Sequence, residues 1–221
     1  MTDDRPLPFD GRLGIVGAGR VGITVARRAL DTGFEVAVAS SRPVEETART
    51  LAEKEPDAQA VDVAGAAAFS AAVVLALPIQ RLDHLDPRAF DGKVVIDTTN
   101  HWPALDGPLD GFDLDGVTTS EAIQRRLPDA RVVKTLNQTA YFEIESHARP
   151  WFAPDRRGLG VAGDDPDAVE QVARLVDVLG FDPVVLGPLR WSTLIQPGGP
   201  AFGSYYRGSE LRELAAEAVT P

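Results

Sequence analysis

The stretch Leu13-Gly-Ile-Val-Gly-Ala-Gly-Arg-Val-Gly22 constrains the fold more than any other part of the chain. An apolar run containing Leu13, Ile15 and Val16 stops at Gly17-Ala18-Gly19-Arg20-Val21-Gly22, a G-x-G-x-x-G loop. Val21, Val25, Ala29 and Leu30 then recur along one side of a helix expected over 20–32, Gly33 closes it, and Glu35 to Ala39 supplies a second strand. Strand, glycine loop, helix and strand together make one βαβ unit of roughly 30 residues. Each glycine has a reason. Gly17 allows the tight turn, Gly19 lets backbone approach a pyrophosphate, and Gly22 lets helix and strand pack closely. The helix N-terminus offers free N–H groups and partial positive charge to phosphates.

The end of the second strand selects the nucleotide. A unit that holds NAD places Asp or Glu there for the ribose 2′-OH. This chain has Ser40-Ser41-Arg42, and its nearest acid, Glu35, stands at the start of the strand. A carboxylate would repel a 2′-phosphate, whereas hydroxyls and a guanidinium bind one. The pattern predicts NADP(H) over NAD(H), with Gly17, Ala18, Gly19, Arg20, Val21, Gly22, Ser40, Ser41 and Arg42 in contact with it.

Composition narrows the alternatives. The net charge of −11 disfavours nucleic acids and anionic membranes as partners. The absence of cysteine excludes disulfides, thiol nucleophiles and thiolate metal sites. His84, His101 and His147 stand too far apart to suggest a metal site. Residues 1–10 lack the basic start and apolar run of a signal peptide, and no apolar stretch is long enough to span a bilayer, so a cytoplasmic location is expected.

Taken in order, the chain predicts an α/β fold: a doubly wound parallel sheet of Rossmann type with a small C-terminal α/β subdomain. Residues 1–11 read as a disordered lead-in, 12–136 as the NADP-binding domain and 137–221 as the subdomain. A helix to about Lys54, a short strand over 59–63 and an alanine-rich helix over 64–70 follow the second strand. The apolar run from Ala71 to Pro78 is a fourth strand covered on both faces. Pro78 ends its ladder, and Leu77 and Pro78 are expected to line the nicotinamide pocket. The fifth strand, Lys93 to Asp97, opens into Thr98-Thr99-Asn100-His101-Trp102. Asn100 is expected to meet the nicotinamide or its ribose, and His101 and Trp102 a second ligand. The Asp- and Gly-rich stretch 104–116 reads as a flexible surface insertion. Thr118 to Glu121 can cap a helix, and a sixth strand over 131–136 leads into Asn137-Gln138-Thr139-Ala140-Tyr141. The subdomain holds a strand over 159–162, a helix begun by Asp164-Asp165-Pro166 and ended by Gly180, a strand over 181–186 and a terminal helix over 210–218. The glycine-, proline- and aromatic-rich stretch 187–208 reads as a lid, a subunit contact or part of a second pocket.

These pieces, in this order, resemble the NADPH-dependent coenzyme F420 reductases. The resemblance rests on the glycine loop, Ser41-Arg42, Leu75-Ala-Leu-Pro78, Val94-Val-Ile-Asp-Thr-Thr-Asn100, Arg131-Val-Val-Lys-Thr-Leu-Asn137, Val161-Ala-Gly-Asp-Asp165 and Leu179-Gly-Phe-Asp-Pro183 with Leu186-Gly-Pro-Leu189. It implies a homodimer with NADP(H) as cofactor, Ser41 and Arg42 on the 2′-phosphate, and coenzyme F420 as co-substrate. F420 would lie in a cleft that Asn137, Gln138, Thr139, Ala140 and Tyr141 help to form. Direct hydride transfer needs alignment at about 3–3.5 Å and exclusion of water rather than a protein acid or base. No catalytic residue and no metal ligand is therefore assigned. Two other readings keep the same cofactor: reduction of a flavin, a ferric chelate or a small organic molecule, and NADP(H) sensing without turnover.

Overall fold

The computed structural model describes residues 6–109 and 116–219. Its strands are β1 (Arg12–Val16), β2 (Glu35–Ala39), β3 (Gln59–Ala60), β4 (Ala72–Leu75), β5 (Val94–Asp97), β6 (Arg131–Lys134), β7 (Gly158–Gly163) and β8 (Asp182–Gly187). They form one sheet in the order β3-β2-β1-β4-β5-β6-β7-β8. The first six are parallel, β7 runs antiparallel to β6, and β8 is parallel to β7. The chain order reverses between β1 and β4, the place where sheets of this kind open a crevice for a ligand.

Register sharpens that crevice. Ala39, Val16, Leu75, Asp97 and Lys134 are successive partners across the sheet. Five parallel strands therefore end in one row, and five loops leave it along one edge.

The helices are α1 (Arg20–Asp31), α2 (Val44–Lys54), α3 (Val63–Phe69), α4 (Pro103–Asp106), α5 (Thr119–Arg126), α6 (Tyr141–Ser146), α7 (Pro166–Val178) and α8 (Gly208–Val219). Alternate residues of the strands face opposite layers. Leu13, Ile15, Val74 and Ile96 pack with residues of α1 and α7, whereas Val16, Val73, Leu75 and Val95 pack with residues of α3 and α5. A third cluster places Leu211 and Ala215 of α8 with Val184 and Leu186 of β8. The helix starts follow their local chemistry. Thr118 and Glu121 form a reciprocal capping box, Asp62 accepts from the Gly65 N–H, and Asp165 accepts from the Ala168 N–H at 2.8 Å.

Some expectations change. Residues 8–11, expected to be disordered, form a 3-10 turn in which Pro8 is buried, and Leu7 packs against the core. Residues 1–5 of that lead-in lie outside the described residues, as do 110–115 of the expected insertion. β3 has only two residues. Stretches to which the sequence assigns no helix hold α4, α6 and 3-10 segments at Ile79–His84, Pro87–Phe90 and Leu189–Leu194. Each 3-10 segment begins at or just after a proline that cannot extend a strand ladder. The last of them lies in 187–208 and buries Leu189 and Leu194 in two core clusters. Among the described residues no helix is long and apolar enough to cross a membrane, and no cluster of His, Asp and Glu has metal-binding geometry.

Candidate cofactor and acceptor site

A cavity of about 740 Å³ opens at the switch between β1 and β4. Gly17, Ala18 and Gly19 form its floor, Ser40, Ser41 and Arg42 one side, and Leu77 and Pro78 the other. The three glycines differ in their duties. Gly17 has φ +129°, and a Cβ there would meet the Ala76 carbonyl oxygen at 2.1 Å. A Cβ on Gly22 would come within 1.8 Å of the Gly17 carbonyl oxygen. At Gly19 a Cβ would meet nothing within 4 Å, so the missing side chain leaves open space at the start of α1. That is the cradle a pyrophosphate requires.

Ser40 is tied down. Its hydroxyl pairs with that of Thr47 at 2.7 Å and accepts from the Arg42 N–H at 3.1 Å. This short turn leaves Ser41 and Arg42 exposed at the cavity. Arg81 and His84, from the 3-10 segment after β4, also line it. No carboxylate lines this cavity among the described residues, although acids outnumber bases 33 to 22 in the sequence. An anion can therefore settle here without a buried like charge beside it. Arg81 and His84 went unread in the sequence. Their signal is weak, two basic residues three apart after a strand-ending proline.

A second cavity of about 390 Å³ adjoins the first and shares Ala76, Leu77 and Pro78 with it. Arg20 and Val21 line one part, Thr98, Thr99 and Asn100 another, and Trp102 and Asp106 a third. The Arg20 guanidinium stands 5.4 Å from the centre of the Tyr141 ring. The Trp102 ring meets Phe202 edge-on at 6.0 Å between centres.

The other residues read from the sequence are placed as follows. Asn100 donates from Nδ2 to the Asn137 carbonyl at 2.8 Å, and Asn137 Nδ2 donates to Asn100 Oδ1 and to the Ile195 carbonyl. His101 is buried, with Nε2 at 2.8 Å from the Gly107 carbonyl, and lines neither cavity. Gln138 is fully buried. Its Oε1 accepts from the Gly160 N–H, which stitches the chain after β6 to β7. Thr139 Oγ1 and the Ala140 N–H both donate to Glu143 at 2.9 Å. Arg157, fully buried, donates to the same Glu143 oxygen at 2.9 Å and to the Ser204 carbonyl at 2.8 Å. Burial penalises the Glu143 carboxylate, but the Ala140 N–H, Arg157 and Thr139 outweigh it and hold the group below the usual carboxylate range. So Asn100 and Tyr141 stand at or beside the second cavity, while His101, Gln138, Thr139 and Ala140 are engaged in bonds that shape the loops around it.

Residues 12–101 match the model of a family described as NADP oxidoreductase, coenzyme F420-dependent. The match runs from β1 through the loop after β5 and so includes the glycine loop, Ser41-Arg42, Pro78 and Asn100. The family so described is one of NADP-dependent oxidoreductases. Solved structures extend the likeness over nearly the whole chain. A hypothetical protein from Sinorhizobium meliloti is 28% identical with a TM-score of 0.75, over 89% of this chain and 95% of that one. A candidate F420-dependent NADP reductase from Arthrobacter sp. is 26% identical with a TM-score of 0.66, over 94% and 92%. An imine reductase from Myxococcus stipitatus, solved with NADP+, is 18% identical with a TM-score of 0.55 over 94% of this chain and 60% of that one, a likeness of fold alone. No curated protein matches the chain significantly.

Proposed function

We propose that this protein transfers a hydride between NADP(H) and a deazaflavin of the coenzyme F420 type. The observation that carries the cofactor half is the cavity at the switch point, with Gly19 open to it and Ser41, Arg42, Arg81 and His84 at its margin and, among the described residues, no carboxylate in its lining. The family match over 12–101 supports the deazaflavin. When bound, NADPH supplies a hydride equivalent from its nicotinamide ring. The residues of this chain bind and align. The glycine loop and the start of α1 hold the pyrophosphate, and Ser41 and Arg42 hold the 2′-phosphate. Leu77, Pro78 and Val21 form a dry wall at the junction of the two cavities, where exclusion of water favours hydride transfer. No side chain is asked to move a proton.

A second reading keeps the cofactor and gives it a smaller acceptor. It is favoured by the second cavity's small volume of about 390 Å³ and by its lining charges, where Arg20 is balanced by Asp106. A deazaflavin with an anionic tail is better served by several cations.

The test is NADPH oxidation by the purified protein with and without oxidised F420, repeated with NADH. Bleaching of the deazaflavin with NADPH, and far less with NADH, is the expected result. Arg42→Ala should then raise KM for NADPH by roughly tenfold, the scale of one lost charge-assisted hydrogen bond, and leave NADH nearly unchanged. NADPH binding without F420 reduction would sink the deazaflavin and leave the smaller acceptor standing. No binding of NADPH would sink both.

A further inference from the structure

A fully buried ion pair stands at the root of the loop whose residues Thr98, Thr99 and Asn100 line the second cavity. Asp97 ends β5 and Lys134 ends β6. They are partners in register, and neither side chain is exposed at all. The rest of these strands is apolar except for Arg131 at the outer end, so two charges in the terminal row are out of keeping with the sheet. Buried ion pairs are poor sources of stability, because desolvation opposes the attraction and an apolar pair of similar volume often serves as well. Their better attested use is to specify one arrangement.

The arrangement specified here is the loop after β5. Asp97 Oδ2 accepts from Lys134 Nζ at 3.0 Å and from Ser120 Oγ at 2.7 Å, and its Oδ1 accepts from the Thr99 N–H at 2.8 Å. Lys134 Nζ also donates to the Thr99 carbonyl. The pair thus grips Thr99 by both of its backbone polar groups. The next residue, Asn100, is latched to Asn137, and Asn137 to the Ile195 carbonyl. Between Lys134 and Asn137 the chain passes through Leu136 at φ +62°, a left-handed conformation that costs a leucine energy and persists only where its surroundings hold it. Thr99 and Asn100 line the second cavity, and the Thr99 hydroxyl is buried without a partner.

We infer that Lys134 and Asp97 act as a positioning pair, fixing the backbone of 98–100 against which the nicotinamide end of the cofactor is aligned. The inference rests on the NADP(H) reading above for its ligand, and on the clamp alone for its geometry. Two variants separate position from stability. Lys134→Met strands the Asp97 carboxylate and lowers stability. The double variant Asp97→Asn with Lys134→Met carries no unpaired charge and regains thermal stability, yet it lacks the donor to the Thr99 carbonyl.

Three measurements on the double variant decide the matter. Binding of 2′,5′-ADP, which occupies only the adenosine half, should stay within about twofold of wild type. Enhancement of NADPH fluorescence on binding, which reports the surroundings of the reduced nicotinamide, should fall to less than about half. Amide exchange at Thr98 and Thr99, whose N–H groups bond to the Leu75 carbonyl and to residue 97, should speed up about tenfold through local opening. A stable double variant with wild-type fluorescence and wild-type exchange would overturn the inference. If the wild-type protein binds neither 2′,5′-ADP nor NADPH, the cofactor reading fails, and the exchange rates alone judge the clamp.

Discussion

Arg42 and Arg81 reach one cavity from loops that flank the glycine turn, the first after β2 and the second after β4. Neither donates to a carboxylate among the described residues, so both guanidinium groups are available to a phosphate. Removing Arg81 by Arg81→Ala should weaken 2′,5′-ADP about tenfold and 5′-AMP much less, as calorimetric titration would read. Equal losses for the two nucleotides would move Arg81 from the 2′-phosphate to the adenosine they share. At this scale the sequence is legible where the backbone demands one residue type. Gly17 needs a positive φ and Gly22 needs no Cβ, and both needs are written in the spacing. It is less legible where a polar side chain has a choice of partner. Asn100 lines the second cavity as expected and also bonds to Asn137, while His101 turns to the Gly107 carbonyl. Nothing local in Thr-Thr-Asn-His-Trp records which partner wins. Lys134 is the sharper case. It falls inside the strand expected over 131–136, and its role emerges only when β5 and β6 align.

Among elements, the helices with explicit caps and long apolar faces were readable. The Thr118–Glu121 box and the Asp165 cap both act at the starts expected for α5 and α7. The six-residue α6 was not, because one buried residue, Ile144, makes no period. What holds α6 lies elsewhere in the chain: Arg157, just before β7, meets Glu143 in its first turn. This contact carries a pH dependence. The Glu143 carboxyl is held below its usual range, so its stabilising contribution is complete above the unfolded value of about 4.3 and is lost as pH falls through the lower folded value. Glu143→Gln should therefore cost on the order of 1 kcal/mol at pH 7, a modest figure because the side chain keeps 24% exposure. The gap in Tm between wild type and variant should hold from about pH 6 to 8 and start to close as pH falls below about 4.3. A gap independent of pH would show that Arg157, not the ionised carboxylate, is what α6 needs.

Over the whole molecule, the sheet joins what the sequence divides. The pattern places a boundary at 136/137, yet residues from both sides share eight strands. Strand direction is the reason this was hidden. An apolar run reads the same whether its strand is parallel or antiparallel, so the reversal at β7 leaves no local mark. Long-range bonds cross the same boundary. Arg28 Nε donates to the Leu179 carbonyl at 2.8 Å, Arg27 pairs with Glu145, and Arg174 reaches the Pro6 carbonyl at 2.7 Å. We expect calorimetric unfolding in one cooperative transition, with calorimetric and van't Hoff enthalpies equal. Two resolved transitions would mean that the halves are energetically separate despite the common sheet.

The segment around α4, which gives the second cavity Trp102 and Asp106, is tied to the rest of the chain by few contacts among the described residues, including the Trp102–Phe202 ring contact and the His101–Gly107 bond. Trp102 is 41% exposed and Leu105 84%, and α4 is closed by bonds of its own, Trp102 N–H to Asp106 Oδ2 and Gly107 N–H to the Pro103 carbonyl. No strand pairing runs through it, and the buried ion pair does not touch it. Such a rim can be rewritten by single substitutions at little risk to folding, while a Cβ at Gly17 or Gly22 would collide with backbone. Lineages built on this scaffold would then diverge first in what they reduce and last in what they reduce it with.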